Sequence, residues 1–161
     1  MKSFKILFFA VLFSVGLLNC SSSDDNANDG EFIRATVETL SFESVNVPDG
    51  ATAAKIDGGD FITFIVQGFD SAGNIVVIAV PEYDGPGTYS LGNDNGEFSA
   101  SGLFGNESGT WSSVVAEGNG SVTILTDDDQ ETTGTFQFVG VNSNDESSTR
   151  TITNGSFRVK F

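Results

Sequence analysis

The chain has 161 residues, with 22 Asp or Glu against seven Lys or Arg, no His and a single Cys, for a net charge of −15. A surface this acidic repels phosphate backbones and anionic headgroups, which argues against nucleic acid as a partner. The missing His removes the usual general base near neutral pH and the commonest transition-metal ligand, and one Cys permits no internal disulfide.

Lys2 and Lys5 form a short basic head, and the thirteen residues from Ile6 to Leu18 are almost wholly apolar. As a helix that run would rise about 20 Å, short of the roughly 30 Å hydrocarbon core of a bilayer. It therefore reads as a secretory signal over residues 1–19 rather than a membrane span. The order Leu17-Leu18-Asn19-Cys20, followed by Ser21-Ser22-Ser23-Asp24-Asp25, resembles a bacterial lipobox, with Asn19 where Gly, Ala or Ser is usual. The resemblance implies cleavage before Cys20 and acylation of that residue, each buried methylene adding about 0.8 kcal/mol of membrane affinity. Cleavage removes two of the seven basic residues, which moves the net charge from −15 to −17. The lipid, not the protein surface, then holds the chain to a membrane, and the only thiol is withdrawn from nucleophilic or metal chemistry. Ser21 to Glu31 is Ser, Asp, Asn and Gly with one Ala and one Glu, too polar to fold alone. It reads as a flexible tether able to reach about 36–40 Å when extended. Asp24-Asp25 resemble the surface-export signal of Bacteroidota lipoproteins, implying the outer membrane and the cell surface.

Phe32 to Phe161 is long enough for one domain with its own core. No stretch spaces apolar residues at 3.6 among helix formers; short apolar or alternating runs instead recur between Gly, Asn and Asp clusters. The predicted strands are 33–42, 53–56, 61–69, 75–80, 87–91, 98–104, 110–115, 121–126, 133–141, 149–153 and 156–161. This spacing predicts an all-β fold, an antiparallel β-sandwich or flattened barrel of about 9–11 short strands. Phe61 to Val66 and Ile75 to Val80 are almost continuously apolar, so they read as central strands covered on both faces and joined by the turn Asp70 to Asn74. Further on, Phe136 and Phe138 share one face, with Thr135 and Gln137 on the other.

Asn154-Gly155 is the pair favoured by a two-residue type I′ hairpin, whose central residues both need φ > 0. Such a turn would set Ile152 opposite Phe157 and Thr151 opposite Arg158. Phe157, Val159 and Phe161 would share an apolar face, with Arg158 and Lys160 toward solvent. Gly134-Thr135-Phe136-Gln137-Phe138, a polar loop, and Thr151-Ile152-Thr153-Asn154-Gly155-Ser156-Phe157 together resemble a family of flavobacterial (Bacteroidota) lipoproteins. In that family a Gly-Thr-Phe-x-Phe strand precedes a Thr-Asn-Gly-x-Phe hairpin. Ile56-Asp57-Gly58 and Gly87-Thr88-Tyr89 match its earlier motifs. The resemblance implies a secreted β-sandwich-like lipoprotein and brings no activity with it.

Catalytic chemistry is thinly provisioned. A Ser nucleophile would need a Lys base, and Lys55 and Lys160 lie in strands without Ser-x-x-Lys spacing. A carboxylate pair of the glycosidase kind could be drawn from the 22 acids, but Glu82 with Asp84 has no special signal. The domain is therefore expected to be non-enzymatic and to need no cofactor. Asp127, Asp129 and Glu131 have the alternate spacing of the first EF-hand ligands and are weak calcium candidates. Thr132 stands where that loop needs Gly and Phe138 where it needs Glu, so an exposed turn is the plainer reading. The polar loop Asn142 to Ser148 could approach it if the hairpins align. Tyr83, Tyr89 and Trp111, beside Gly-rich turns, are the candidates for stacking on a glycan, set against a simpler role in filling the core ends. Asp70-Ser71-Ala72 resembles the Bacteroidota O-glycosylation acceptor, with Ser71 as the modified residue. Phe161 resembles the last residue of an outer-membrane barrel, a reading opposed by short strands, acidic loops and the lipid anchor. The expected function is a membrane-anchored interaction or structural domain with a protein partner, the alternative being a glycan- or calcium-binding module.

Overall fold

Period-two alternation between turn-forming clusters leaves this sequence one economical solution, a meandering antiparallel sheet that folds over on its own apolar face. A computed structural model describes residues 30–44, 50–92, 99–115, 118–128 and 130–161. The expected lipidation site Cys20, the signal segment and Asp129 lie outside the described residues, as does Phe98, the expected first residue of one strand. The strands are β1 (Phe32–Val37), β2 (Leu40–Glu43), β3 (Ala51–Asp57), β4 (Ile62–Phe69), β5 (Ile75–Val80) and β6 (Gly87–Gly92). They continue with β7 (Ser101–Asn106), β8 (Gly109–Ser112), β9 (Asn119–Asp127), β10 (Glu131–Asn142) and β11 (Thr149–Lys160).

All eleven belong to one sheet, in the order β2-β1-β11-β10-β8-β7-β5-β4-β3, with β9 bridging β10 to β6. β10 is the hinge of this arrangement. Its Thr132–Val139 stretch pairs with β9, while Val141 and Asn142, on the same edge, pair with β8. The sheet curls into a half-barrel, consistent with the expected sandwich or flattened barrel. Ile33 from β1 packs directly on Gly68 of β4, so the two limbs share one core. Phe42, Phe64, Phe157, Ile33, Ile78, Leu91, Ile124 and Ile152 are the largest fully buried side chains among the described residues. This apolar, filled interior is the reverse of an outer-membrane barrel, whose apolar band faces outward.

The Gly-Thr-Phe-x-Phe and Asn-Gly-x-Phe motifs interlock across β10 and β11. A Cβ on Gly134 would run into the ring of Phe157, and one on Gly155 into the ring of Phe136. Each glycine is thus the notch for the other motif's aromatic ring, and Phe136 and Phe138 share the inner face as expected, at 4% and 2% exposure.

Three expectations are corrected. The predicted Asn154-Gly155 hairpin does not exist, because β11 runs unbroken from Thr149 to Lys160. Asn154 has φ +51 but Gly155 is not in the left-handed region, so the I′ requirement fails. The pair forms a β-bulge instead, with Phe136 opposite Gly155 and Phe138 opposite Ile152, leaving one extra residue in β11. That extra residue switches the inward-facing parity, which is why Ile152 and then Phe157 and Val159 all face the core. Second, the strand expected over 33–42 breaks at Glu38, whose φ of +57 opens a two-residue turn with Val37 opposite Leu40. Its backbone N–H donates to the Thr151 carbonyl at 2.8 Å, so a third strand fixes the turn. Third, β4 and β5 are central but not covered on both faces. Ile65, Val77 and Ala79 are only half-buried, sheltered by cross-strand neighbours such as Ala79 for Ile65 and Leu103 for Val77.

Candidate functional site

The turns gather at two ends of the sheet, and polar side chains concentrate there. At the first end, β3 presents Lys55, β9 ends on Asp127, and the β5–β6 connection holds Tyr83. The Lys55 ammonium lies 2.7 Å from Asp127 Oδ1, and the Tyr83 hydroxyl donates to Asp127 Oδ2 at 2.7 Å. The Asp127 side chain is only 5% exposed, so both partners are needed to offset its desolvation. Lys55 also sits 4.6 Å from the centroid of the Phe161 ring, a cation–π contact at the end of β11. Tyr83 stacks 4.9 Å from Phe64 and 5.8 Å from Tyr89. Burial, reinforced by Asp127, pushes the Tyr83 phenol far above its ordinary range. Burial, with Asp84 accepting its proton at 2.7 Å, also raises that of Tyr89. Both phenols stay protonated under all ordinary conditions, which suits them as hydrogen-bond donors and not as bases.

The same end accounts for the acidic run. Glu131 pairs with Arg158 Nε at 2.7 Å, so Asp127 and Glu131 each serve a different cation. Asp128 accepts the backbone N–H groups of Glu131 and Gln130, bonds that hold its carboxyl below the usual range and shape the turn. Among the described residues, no group of three or more acids is placed to hold a metal ion. The loop from Asn142 to Ser148 does not approach this turn. It leaves the opposite terminus of the twelve-residue β10, about 35 Å away at roughly 3.3 Å per residue.

Two of the expected glycan-stacking residues are corrected outright. Trp111 is 2% exposed and Tyr83 8% exposed, so neither offers a ring face to a sugar. Trp111 lies against Phe104, its indole N–H donates to Ser148 Oγ at 3.0 Å, and the Arg150 guanidinium lies over its ring, 4.5 Å from the centroid. Tyr89 is half-buried against the core. Glu82 and Asp84 are both exposed. Ser71 is exposed in the β4–β5 turn, which Asp70 braces by accepting the N–H groups of Ala72 and Asn74 at 2.9 Å.

The second end was not anticipated. A cavity of about 260 Å³ opens between the β1–β2, β4–β5 and β7–β8 turns and the start of β11. Glu38, Asn74, Asn106 and Arg150 contribute its polar lining, and Leu40, Phe42 and Phe104 its apolar wall. No sequence motif joins these positions, since they come from separate turns that only the strand register brings together. The one local signal is Leu40, an apolar residue directly after the Glu38-Thr39 turn, 71% exposed and thus unused by the core.

Fold and ends together define an all-β domain built from one curled antiparallel sheet, with one sealed end and one open end. A family model described as a domain of unknown function, DUF6252, matches residues 32–159, and the chain belongs to that family. No curated protein and no solved structure matches the chain.

Proposed function

We propose that this chain is an exported lipoprotein, held to the bacterial outer membrane at the cell surface by acyl chains on Cys20. Its all-β domain then serves as a non-enzymatic binding or structural unit. The observation that carries the reading is the position of the chain's only Cys, immediately after a thirteen-residue apolar run and ahead of a Ser/Asp/Asn stretch. The non-enzymatic part is supported by the absence of His and by the commitment of Asp127, Glu131, Tyr83 and Tyr89 to internal partners.

The test is phase partitioning of the expressed protein in a cloud-point detergent, with incorporation of a labelled fatty acid. Wild type is expected in the detergent phase and labelled, and Cys20→Ala unlabelled. Fatty-acid labelling of the Cys20→Ala protein equal to wild type, or no labelling of wild type, would refute the anchor.

A further inference from the structure

We propose that the cavity at the open end binds a small zwitterion with an apolar body, the chemistry of a free aliphatic or aromatic amino acid. Two opposite charges line the cavity without pairing with each other. Glu38 is pinned by Thr151, whose N–H donates to Oε1 at 2.7 Å. Arg150 is pinned by the face of Trp111 at 4.5 Å and by the Thr149 carbonyl, to which Nη1 donates at 2.9 Å. Among the described residues, the other two arginines pair with carboxylates, Arg34 with Glu43 at 2.6 Å and Arg158 with Glu131 at 2.7 Å. Among those residues Arg150 has no such partner. A guanidinium and a carboxylate held apart across one cavity form a preorganised dipole that needs no rearrangement to receive its complement.

The complement has three parts. A ligand carboxylate would lie on the guanidinium edge of Arg150, where two parallel N–H bonds are available to it. A ligand ammonium would lie on Glu38, whose second oxygen is not used by Thr151. An apolar side chain would cover Leu40, Phe42 and Phe104, removing the exposed Leu40 surface from water. Asn106 uses its carbonyl oxygen on the Ser108 N–H at 2.8 Å, which leaves its NH₂ for the ligand. The volume of about 260 Å³ corresponds to about nine waters at roughly 30 Å³ each, the scale of one amino acid.

The site does not depend on the anchor, so the experiment uses the full-length Cys20→Ala protein, which keeps the two proposals separable. Thermal shift and calorimetry are run with L-leucine, with L-phenylalanine, with 4-methylpentanoate (no ammonium) and with 3-methylbutylamine (no carboxylate). At least one amino acid is expected to raise Tm and to bind ten-fold or more tighter than either half-ligand. Arg150→Gln should abolish binding of the amino acid, and Glu38→Gln should weaken it while sparing 4-methylpentanoate. Leu40→Asp, at an exposed position that leaves the fold intact, should also abolish it and covers the case in which Arg150→Gln does not fold. No Tm shift with either amino acid at millimolar concentration would overturn the proposal. Equal affinity for leucine and 4-methylpentanoate, or binding unaffected by Leu40→Asp, would overturn it equally.

Discussion

The two ends of this sheet use similar residues to opposite effect. At the sealed end Lys55, Asp127, Tyr83 and Phe161 satisfy one another, and Glu131 and Arg158 close a further pair beside them. At the open end Glu38 and Arg150 face one cavity, and each is held by a group other than the opposite charge. Partly buried charges are tolerable only when compensated, so the sealed end is sensitive to loss of any partner. The open end satisfies its charges more cheaply, near solvent, and keeps bonding capacity in reserve. Acidic residues alone therefore say little about where a ligand would go; what their neighbours already consume says more.

This contrast can be broken by substitution, starting from the element that joins the ends. Gly155→Val drives a branched side chain into the Phe136 ring at the β11 bulge and should cost about 3 kcal/mol or more. Chemical denaturation would show it as a large fall in midpoint at either end's expense. Asp127→Ala should cost about 2–4 kcal/mol, because Lys55 and the Tyr83 hydroxyl lose their common acceptor, with relief from the 24% exposure of the Lys55 side chain. Tyr83→Phe removes one hydrogen bond to a charged acceptor and should cost about 1–2 kcal/mol by the same measurement. Glu38→Gln and Arg150→Gln should each change unfolding free energy by only about 0.5–1 kcal/mol. Losses at the open end equal to that of Asp127→Ala would erase the distinction between the ends.

An alkaline titration sharpens the same comparison. The folded-state phenols of Tyr83 and Tyr89 are raised above their unfolded values, so the folded state holds those protons more tightly. The associated stability is fully present below about pH 10, the unfolded tyrosine value. It declines as pH rises from there toward the folded-state values. These are the only two tyrosines in the chain, so phenolate absorbance should rise at higher pH than that of the unfolded chain. Early ionisation of one phenol in the native protein would show that the sealed end is not sealed.

Much of the fold was legible because its cause is local. Ile75–Val80 has the same limits in sequence and structure, and the alternation of Phe136 and Phe138 with Thr135 and Gln137 is seen in their burial. The Asn154-Gly155 error arose where local chemistry is ambiguous. A residue at positive φ makes either a turn or a bulge, and only the register against β1 and β10 decides. The two faces of β4 and β5 were misjudged because a continuous apolar run does not reveal whether a second layer exists. For the candidate residues, the pairing of Asp127 with Lys55 spans distant strands, and the open cavity is assembled from four separate chain segments. Trp111 and Tyr83 were noticed for their ring chemistry, but composition could not tell a stacking platform from a plug.

One feature of the first strand gives the molecule a direction. The chain joins the domain at the sealed end, where Glu31 Oε1 accepts the Lys160 N–H at 2.7 Å and Phe32 lies opposite Arg158. β1 then carries it to Glu38 at the open end, six residues or about 20 Å further along. On the anchoring proposed above, attachment through the N-terminal segment would set the closed pole toward the membrane and the open mouth away from it. Solute would then reach the mouth without threading between protein and membrane.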